Sequence, residues 1–434
     1  MVVLRSLFVV VAALVFTACS DSSDSGNGNN NFAACSIPDQ NATWFDYLQE
    51  DYLFYQDLPS SIDPTRYSTV SAMLNDVRSS QDRFSYVITR EEYDSFFNSG
   101  SFFGYGFSSN TEMYDDSFVI RYVFAGSGAE AAGLTRGARL TVINGYTVPE
   151  IKQQNIDNAT LYGPDEEGFT IDITYIDVNG QTVQAQMSKG TVITNTVFAA
   201  DVINSNAGNI GYLSFQHGFI EPSEAELDSA FQTIAAQQPS QLILDLRYNG
   251  GGRISIAEQL GSLVGGQATS GSVFGELTYN DMNQANNFTY RFSTRLNALD
   301  VNRVIVLTTP STCSASEMII NGLDPFIEVV TVGETTCGKP IGMSPQEYCG
   351  MVMSAINFKV VNAVGFGDYF DGISSQCVVE DFIAGDWLAS TDAIFAEGLR
   401  YAETGSCSVT KATDSIESGK ANLTMREILF DHLH

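Results

Sequence analysis

Histidine is nearly missing from this 434-residue chain, which holds three, His217, His432 and His434. The last two stand in a polar C-terminal stretch, so His217, just after an apolar run ending at Phe215, is the imidazole left as a candidate for acid–base work, against the plainer reading of a surface loop histidine. No CxxC pair and no Cys/His spacing of the zinc type occurs, so neither a metal nor an organic cofactor is implied. Basic residues are scarce too. Lys and Arg total 21 against 51 Asp and Glu, and the formal charge of -30 would repel a polyanion, which sets nucleic acid aside. What the chain has is apolar content, 44%, enough for a large core divided among two or three domains.

The first residues read as a targeting segment: Arg5, then an apolar stretch over residues 7–16 too short to span a bilayer, then Phe16-Thr17-Ala18-Cys19. That ending resembles a bacterial lipobox, with phenylalanine where leucine is usual. The resemblance implies a signal peptide over 1–18, a lipid on Cys19, and a membrane anchor in the periplasm or at the cell surface. Residues 20–31 carry no apolar side chain, and 19–34 serve as a tether. Six further cysteines, an even number in an exported chain, suggest disulfides among 15 possible pairings.

In residues 35–100, Trp44, Phe45, Leu48, Tyr52 and Tyr55 recur at helical spacing, and a second helical pattern covers 70–77, which predicts a small helical N-terminal domain. Residues 101–190 contain Gly104-Tyr105-Gly106-Phe107, a small-residue segment from Ser127, and a strand pattern ending in Asn144-Gly145. These resemble a PDZ domain of the bacterial protease type, whose glycine loop would receive a peptide's C-terminal carboxylate beside an open strand edge. From 191 to 405, strands and helices alternate, which predicts an α/β core with a parallel-rich sheet and ligands beyond the carboxyl ends of its strands. Within it, Ser223 and Glu226 have capping-box spacing at the start of a helix. Residues 406–434 form a tail, polar until 425–429.

Two strand ends carry chemistry. Residues 242–246 lead into Arg247-Tyr248-Asn249-Gly250-Gly251-Gly252, and 304–307 lead into Ser311-Thr312-Cys313-Ser314-Ala315-Ser316-Glu317. Ser314-x-x-Glu317 has capping-box spacing, and the same helix start offers free N–H groups to a developing oxyanion. A serine nucleophile needs a base. Besides His217, Lys339 is available one β-α-β step later, and a desolvated lysine is neutral near pH 7.

The ordered set of PDZ-like segment, Leu244 to Gly252, Ser314-Ala315-Ser316-Glu317 and Gly333-x-x-Thr336-x-Gly338-Lys339 resembles the C-terminal processing, or tail-specific, serine peptidases. The resemblance implies a crotonase/Clp-protease-like core. It implies Ser314 as nucleophile, Lys339 as general base, Glu317 and Thr336 as positioning groups, and an oxyanion hole from Gly251, Gly252 and Ala315. A glutamine that some members carry four residues after the lysine is Met343 here. Cys313 and Cys337 flank the two candidates as a disulfide or as two thiols. Cys349 and Cys377, which bracket the last sheet segment, are the preferred disulfide.

The expected activity is exported serine endopeptidase, with polypeptide substrates and no cofactor. A binding lipoprotein on the same scaffold, or a hydrolase of small esters, are the rival readings.

Overall fold

The computed structural model describes residues 32–408 and Met425. The expected signal peptide, the Cys19 lipidation site, the tether as far as Asn31, His432 and His434 lie outside the described residues. Among the described residues no helix is long and apolar enough to cross a membrane.

Helices α1 (Ile37–Asp51) and α2 (Val70–Val77) precede strand β1 (Tyr86–Thr89). Ser36 and Thr69 cap the two helices through their side-chain oxygens, as short polar residues do at a helix start. A β-rich unit follows, with strands β2 (Phe107–Asn110), β3 (Phe118–Val123), β4 (Arg139–Ile143), β5 (Thr170–Ile176) and β6 (Thr182–Ser188) in that spatial order, and helix α3 (Val148–Gln154) between β4 and β5 in the chain. Its own buried cluster includes Phe107, Ile120, Leu140, Ile143 and Ile173.

The central sheet is built from β7 (Val197–Ser205), β8 (Gly208–Phe215), β9 (Gln241–Asp245), then β11 (Arg303–Thr308), β12 (Glu328–Gly333) and β16 (Cys377–Val378). Only β7 and β8 are antiparallel; every later pair is parallel. Alternation along these strands divides their side chains between two faces. Leu242, Leu244, Val304 and Val306 pack with helices α4 (Ser223–Ala235), α5 (Ile254–Thr269) and α6 (Ala315–Leu323). Ile243, Ile305, Leu307 and Val332 pack with α7 (Ala393–Thr404), and with Val119 and Tyr122 of β3. Covering both faces explains why these strands read as continuous apolar runs. A second sheet sets β10 (Val273–Tyr279) beside β15 (Ile356–Val361), which also pairs β13 (Ile341–Met343), while β14 (Met351–Ser354) pairs β1. Through that last pairing α1 and α2 share one apolar cluster with Cys313, Ile341 and Met353.

Two expectations need correction. The capping box at Ser223 and Glu226 does not form. The Glu226 carboxylate instead accepts the N–H groups of Thr196 and Val197 at 2.7 and 2.9 Å, and Ser223 Oγ accepts from Ile220 N. The disulfides are Cys35–Cys349, Cys313–Cys337 and Cys377–Cys407, so the expected Cys349–Cys377 pair is absent. The β1–β14 pairing brings the turn holding Cys349 to the N-terminal helices, and Cys377, in the edge strand, instead meets the chain leaving α7.

Beneath the carboxyl end of the sheet lies a buried ionic network. The fully buried Arg247 guanidinium donates to Asp245 at 2.6 Å and to both oxygens of Asp392 at 2.8 Å. Arg136, from the β-rich unit, donates to the same Asp392 at 2.8 Å and stacks 4.1 Å from the Trp387 ring. Removing one partner of such a network leaves buried charge uncompensated. Asp392→Ala is therefore expected to lower the unfolding free energy by about 3–5 kcal/mol in urea titrations.

Candidate active site

The Ser314 turn is pinned to the neighbouring strand end by short side chains that read, in sequence, as ordinary loop residues. Thr312 Oγ1 donates to Leu246 O at 2.9 Å and accepts from Thr309 N at 3.0 Å, while Thr309 Oγ1 donates to Arg247 O. Cys313 N donates to Asn249 O at 3.1 Å, and Ser316 Oγ donates to the same carbonyl at 2.9 Å. These bonds hold Ser314 at φ +57° and ψ −113°, in the half of backbone space that favours glycine. Such a conformation costs on the order of 1–3 kcal/mol and persists where surrounding bonds over-determine it, commonly at functional sites. The result is a half-buried serine at the N-terminus of α6.

Gly251 explains why the facing loop is glycine-rich. At φ +97°, a Cβ added there would stand 2.8 Å from Ser314 Cβ and 2.9 Å from Ala315 N. Its own N–H donates to Asn249 Oδ1 at 3.0 Å, so in this structure Gly251 is engaged rather than offered to an oxyanion. Gly252 lines the cavity with Ser314, and the Ala315 N–H stands in the first turn of α6, where backbone donors have no intrahelical partner.

Lys339 lies beyond β12, on a loop fastened to the nucleophile turn through one carboxylate. Glu317, wholly buried, accepts Thr336 Oγ1 at 2.5 Å and Gly338 N at 2.8 Å on Oε1, and Ser314 N and Lys339 N, each at 2.9 Å, on Oε2. Burial pushes its acidity towards the neutral form, and all four donors pull the other way. Thr336 Oγ1 also accepts Ile373 N at 2.7 Å, so the expected positioning pair is joined by a hydrogen bond. The Cys313–Cys337 disulfide spans the same two segments. Glu317 thus grips the backbone of Lys339 rather than its amine.

The Lys339 amine is buried in an apolar pocket. It lies 5.6 Å from the Phe84 ring centre, and its hydrogen bonds go to the thioethers of Met343 at 3.8 Å and Met425 at 3.3 Å. Burial lowers its pKa to about 8, against an opposing pull from Asp82 and Glu317. Ser314 and Lys339 line one cavity of about 330 Å³, with Tyr86, Leu277, Tyr279 and Phe358 among its walls.

His217 is placed elsewhere. It is buried against Phe96 and Phe124, at ring-centre distances of 4.9 and 5.3 Å, and does not line the cavity. Burial drives its pKa down to about 3, and its Nε2 has no hydrogen-bond partner among the described residues. It is a neutral packing residue, not the base. Cys313, Glu317 and Cys337 come within ligand distance of one another, but both sulfurs are committed to a disulfide and offer no thiolate to a metal.

The Gly104–Phe107 loop lies apart from this cavity, within the β-rich unit. Tyr105 and Phe107 are fully buried, Tyr105 OH donates to Tyr162 O at 2.9 Å, and Gly106 O accepts Phe124 N at 2.9 Å. Asn249, Thr312, Arg83, Phe84 and Met425 also belong to the site's surroundings, and nothing in the sequence assigns them a role there. Arg83 donates to Cys337 O, binding the N-terminal segment to the lysine loop. The one cue to Asn249 is its place before three consecutive glycines.

Residues 209–361 match the family model "Peptidase family S41", and residues 39–86 match "Peptidase S41 N-terminal domain". The chain is 23% identical over 373 residues to the carboxy-terminal processing protease CtpA of Bacillus subtilis, covering 86% of this chain and 75% of that protein. It is 24% identical to a carboxyl-terminal-processing protease of a Picosynechococcus species, over 59% of this chain and 60% of that relative, less than two thirds of its length. Among solved structures it resembles a protein assigned to the S41 proteases from Bacteroides fragilis. That likeness has a TM-score of 0.67 and 25% identity, and covers 83% of this chain and 94% of the other.

Because the Lys339 pKa is lower in the folded chain than in the unfolded one, the folded chain binds fewer protons between about pH 8 and the ordinary lysine value of 10.5. Stability therefore rises with pH through that window, and at pH 7 the buried amine costs about 3 kcal/mol. Lys339→Met is expected to be more stable than the parent at pH 7 by up to about that amount, with the gain shrinking as pH rises towards 10 in denaturant titrations.

Proposed function

We propose that this chain, which carries the domains of peptidase family S41, is an exported serine endopeptidase working through a Ser314/Lys339 dyad. The observation that carries the reading is the pairing of a strained serine at a helix start with a buried, readily deprotonated lysine facing the same cavity. Neutral Lys339 Nζ takes the Ser314 Oγ proton as Oγ attacks a peptide carbonyl carbon. Charge develops on the carbonyl oxygen beside the Gly252 and Ala315 N–H groups, at the positive end of the α6 dipole. The Lys339 ammonium then gives its proton to the leaving amine, and water, activated by the again-neutral Lys339 Nζ, releases the acid from Ser314.

Several features favour polypeptide substrates in an oxidising compartment. Three disulfides suit such a compartment, and one of them, Cys313–Cys337, joins the Ser314 turn to the Lys339 loop. Strand β2 ends its sheet next to the Gly104–Phe107 loop, the place expected of the peptide-binding strand in a PDZ-like unit, but Phe107, Ser108 and Ser109 are buried, so a peptide adding there would first displace what covers them. The aromatic and aliphatic walls around Ser314 suit an apolar side chain on an unfolded segment. A lipid on Cys19 would hold the enzyme at the membrane.

The test is cleavage of an unfolded protein by purified enzyme and two variants. Ser314→Ala is expected to reduce cleavage to background, and Lys339→Ala to reduce kcat/KM by roughly 100- to 10,000-fold. For the parent, kcat/KM is expected to rise with pH as Lys339 loses its proton, with a midpoint at about pH 8. Unimpaired cleavage by both variants would overturn the dyad. Peptide binding without cleavage by the parent would favour the binding lipoprotein.

A further inference from the structure

The cavity that holds Ser314 is also lined by a residue from the far end of the chain. Met425 is 3% exposed, and its thioether accepts a hydrogen bond from Lys339 Nζ at 3.3 Å. In the sequence it opens the apolar-rich end of a tail that is otherwise polar, Met425-Arg426-Glu427-Ile428-Leu429-Phe430.

We propose that this cleft is a binding site for an apolar side chain of methionine or leucine size, and that Met425 of the chain's own tail is its resident ligand, held in competition with substrate. The inference rests on the peptidase reading of the site. Methionine is suited to the position, since its flexible, polarisable side chain fills irregular apolar space and makes favourable contacts with aromatic walls. Here the walls are Tyr86, Leu277, Tyr279 and Phe358. The position is also the one that matters for chemistry. A thioether against Nζ occupies the amine that must accept the serine proton, and Met425 lines the same cavity as Ser314. Tethering makes modest affinity sufficient, because a ligand joined to the same chain competes at an effective concentration on the order of millimolar. A substrate able to displace it must present a side chain of similar chemistry, so the resident residue also reports what the site selects: methionine, or leucine as its nearest apolar relative, rather than a charged side chain.

The experiment uses the full chain with Met425→Gly or Met425→Leu, and a fluorescein-labelled peptide covering residues 421–430 of the tail. In the catalytically silent Ser314→Ala background, adding Met425→Gly, which deletes the side chain without bringing a charge to Lys339, is expected to tighten binding of the labelled peptide by about tenfold, since the tethered competitor is removed. Adding Met425→Leu should leave it within about twofold. In active enzyme, Met425→Gly should lower KM for a methionine-containing reporter at least threefold, and free 421–430 peptide should restore the higher apparent KM. Peptide affinity and KM that do not differ between parent and Met425→Gly would overturn the inference. Because the binding arm needs no turnover, absence of cleavage with a tenfold binding change would refute the peptidase reading while supporting the tail as ligand.

Discussion

One buried carboxylate holds the reacting groups in register. Glu317 offers its two oxygens to four donors, from Ser314, Thr336, Gly338 and Lys339. Each partner is a donor, so both oxygens act as acceptors, and these bonds only partly offset the burial that raises the Glu317 pKa. A charge in this position would be expensive unpaired, so the site is stable only when the nucleophile turn and the lysine loop meet at it. Glu317 is thus a geometric constraint: it fixes the backbone of both catalytic candidates and leaves their side chains to the cavity. The Cys313–Cys337 disulfide enforces the same approach covalently, one residue before Ser314 and two before Lys339.

The rest of the fold supplies what that constraint needs. Parallel strands covered on both faces end together, so loops from β9, β11 and β12 converge at one edge. The Arg247, Asp245, Asp392 and Arg136 network locks the chain just before the glycine loop and joins the β-rich unit to it. On the proposed dyad reading, burial that would be only a cost elsewhere serves Lys339. Phe84 and Met343 help to deprive the amine of water, which favours the neutral form that can accept a proton. The lone described histidine shows the same physics without the consequence, since His217 is neutral but walled off by aromatic rings.

Much of this was legible in the sequence, for identifiable reasons. Apolar runs at 242–246 and 304–307 announced buried strands, and the Ser314-to-Lys339 interval with its glycines marked two loops that a β-α-β step would bring together. Cys313–Cys337 stood among the open possibilities. What escaped depended on contacts distant in sequence. The Cys35–Cys349 and Cys377–Cys407 pairs follow from strand pairing and helix packing that no spacing encodes. Glu226 has capping-box spacing, yet the Thr196 and Val197 amides claim it. Gly251 looked like an oxyanion donor, but Asn249, two residues earlier, takes its N–H. Met425 belonged to a tail whose polarity suggested loose attachment, and it packs in the cluster that contains Cys313.

The most direct test of the account is the rate and site of covalent modification by a fluorophosphonate, followed by mass spectrometry across pH. The reagent needs only an activated serine and no particular substrate. The account predicts a single adduct on Ser314, formed at a rate that rises through about pH 8 with deprotonation of Lys339, and collapsing in Lys339→Met. Modification at another residue, or a Ser314 rate indifferent to Lys339→Met, would contradict it.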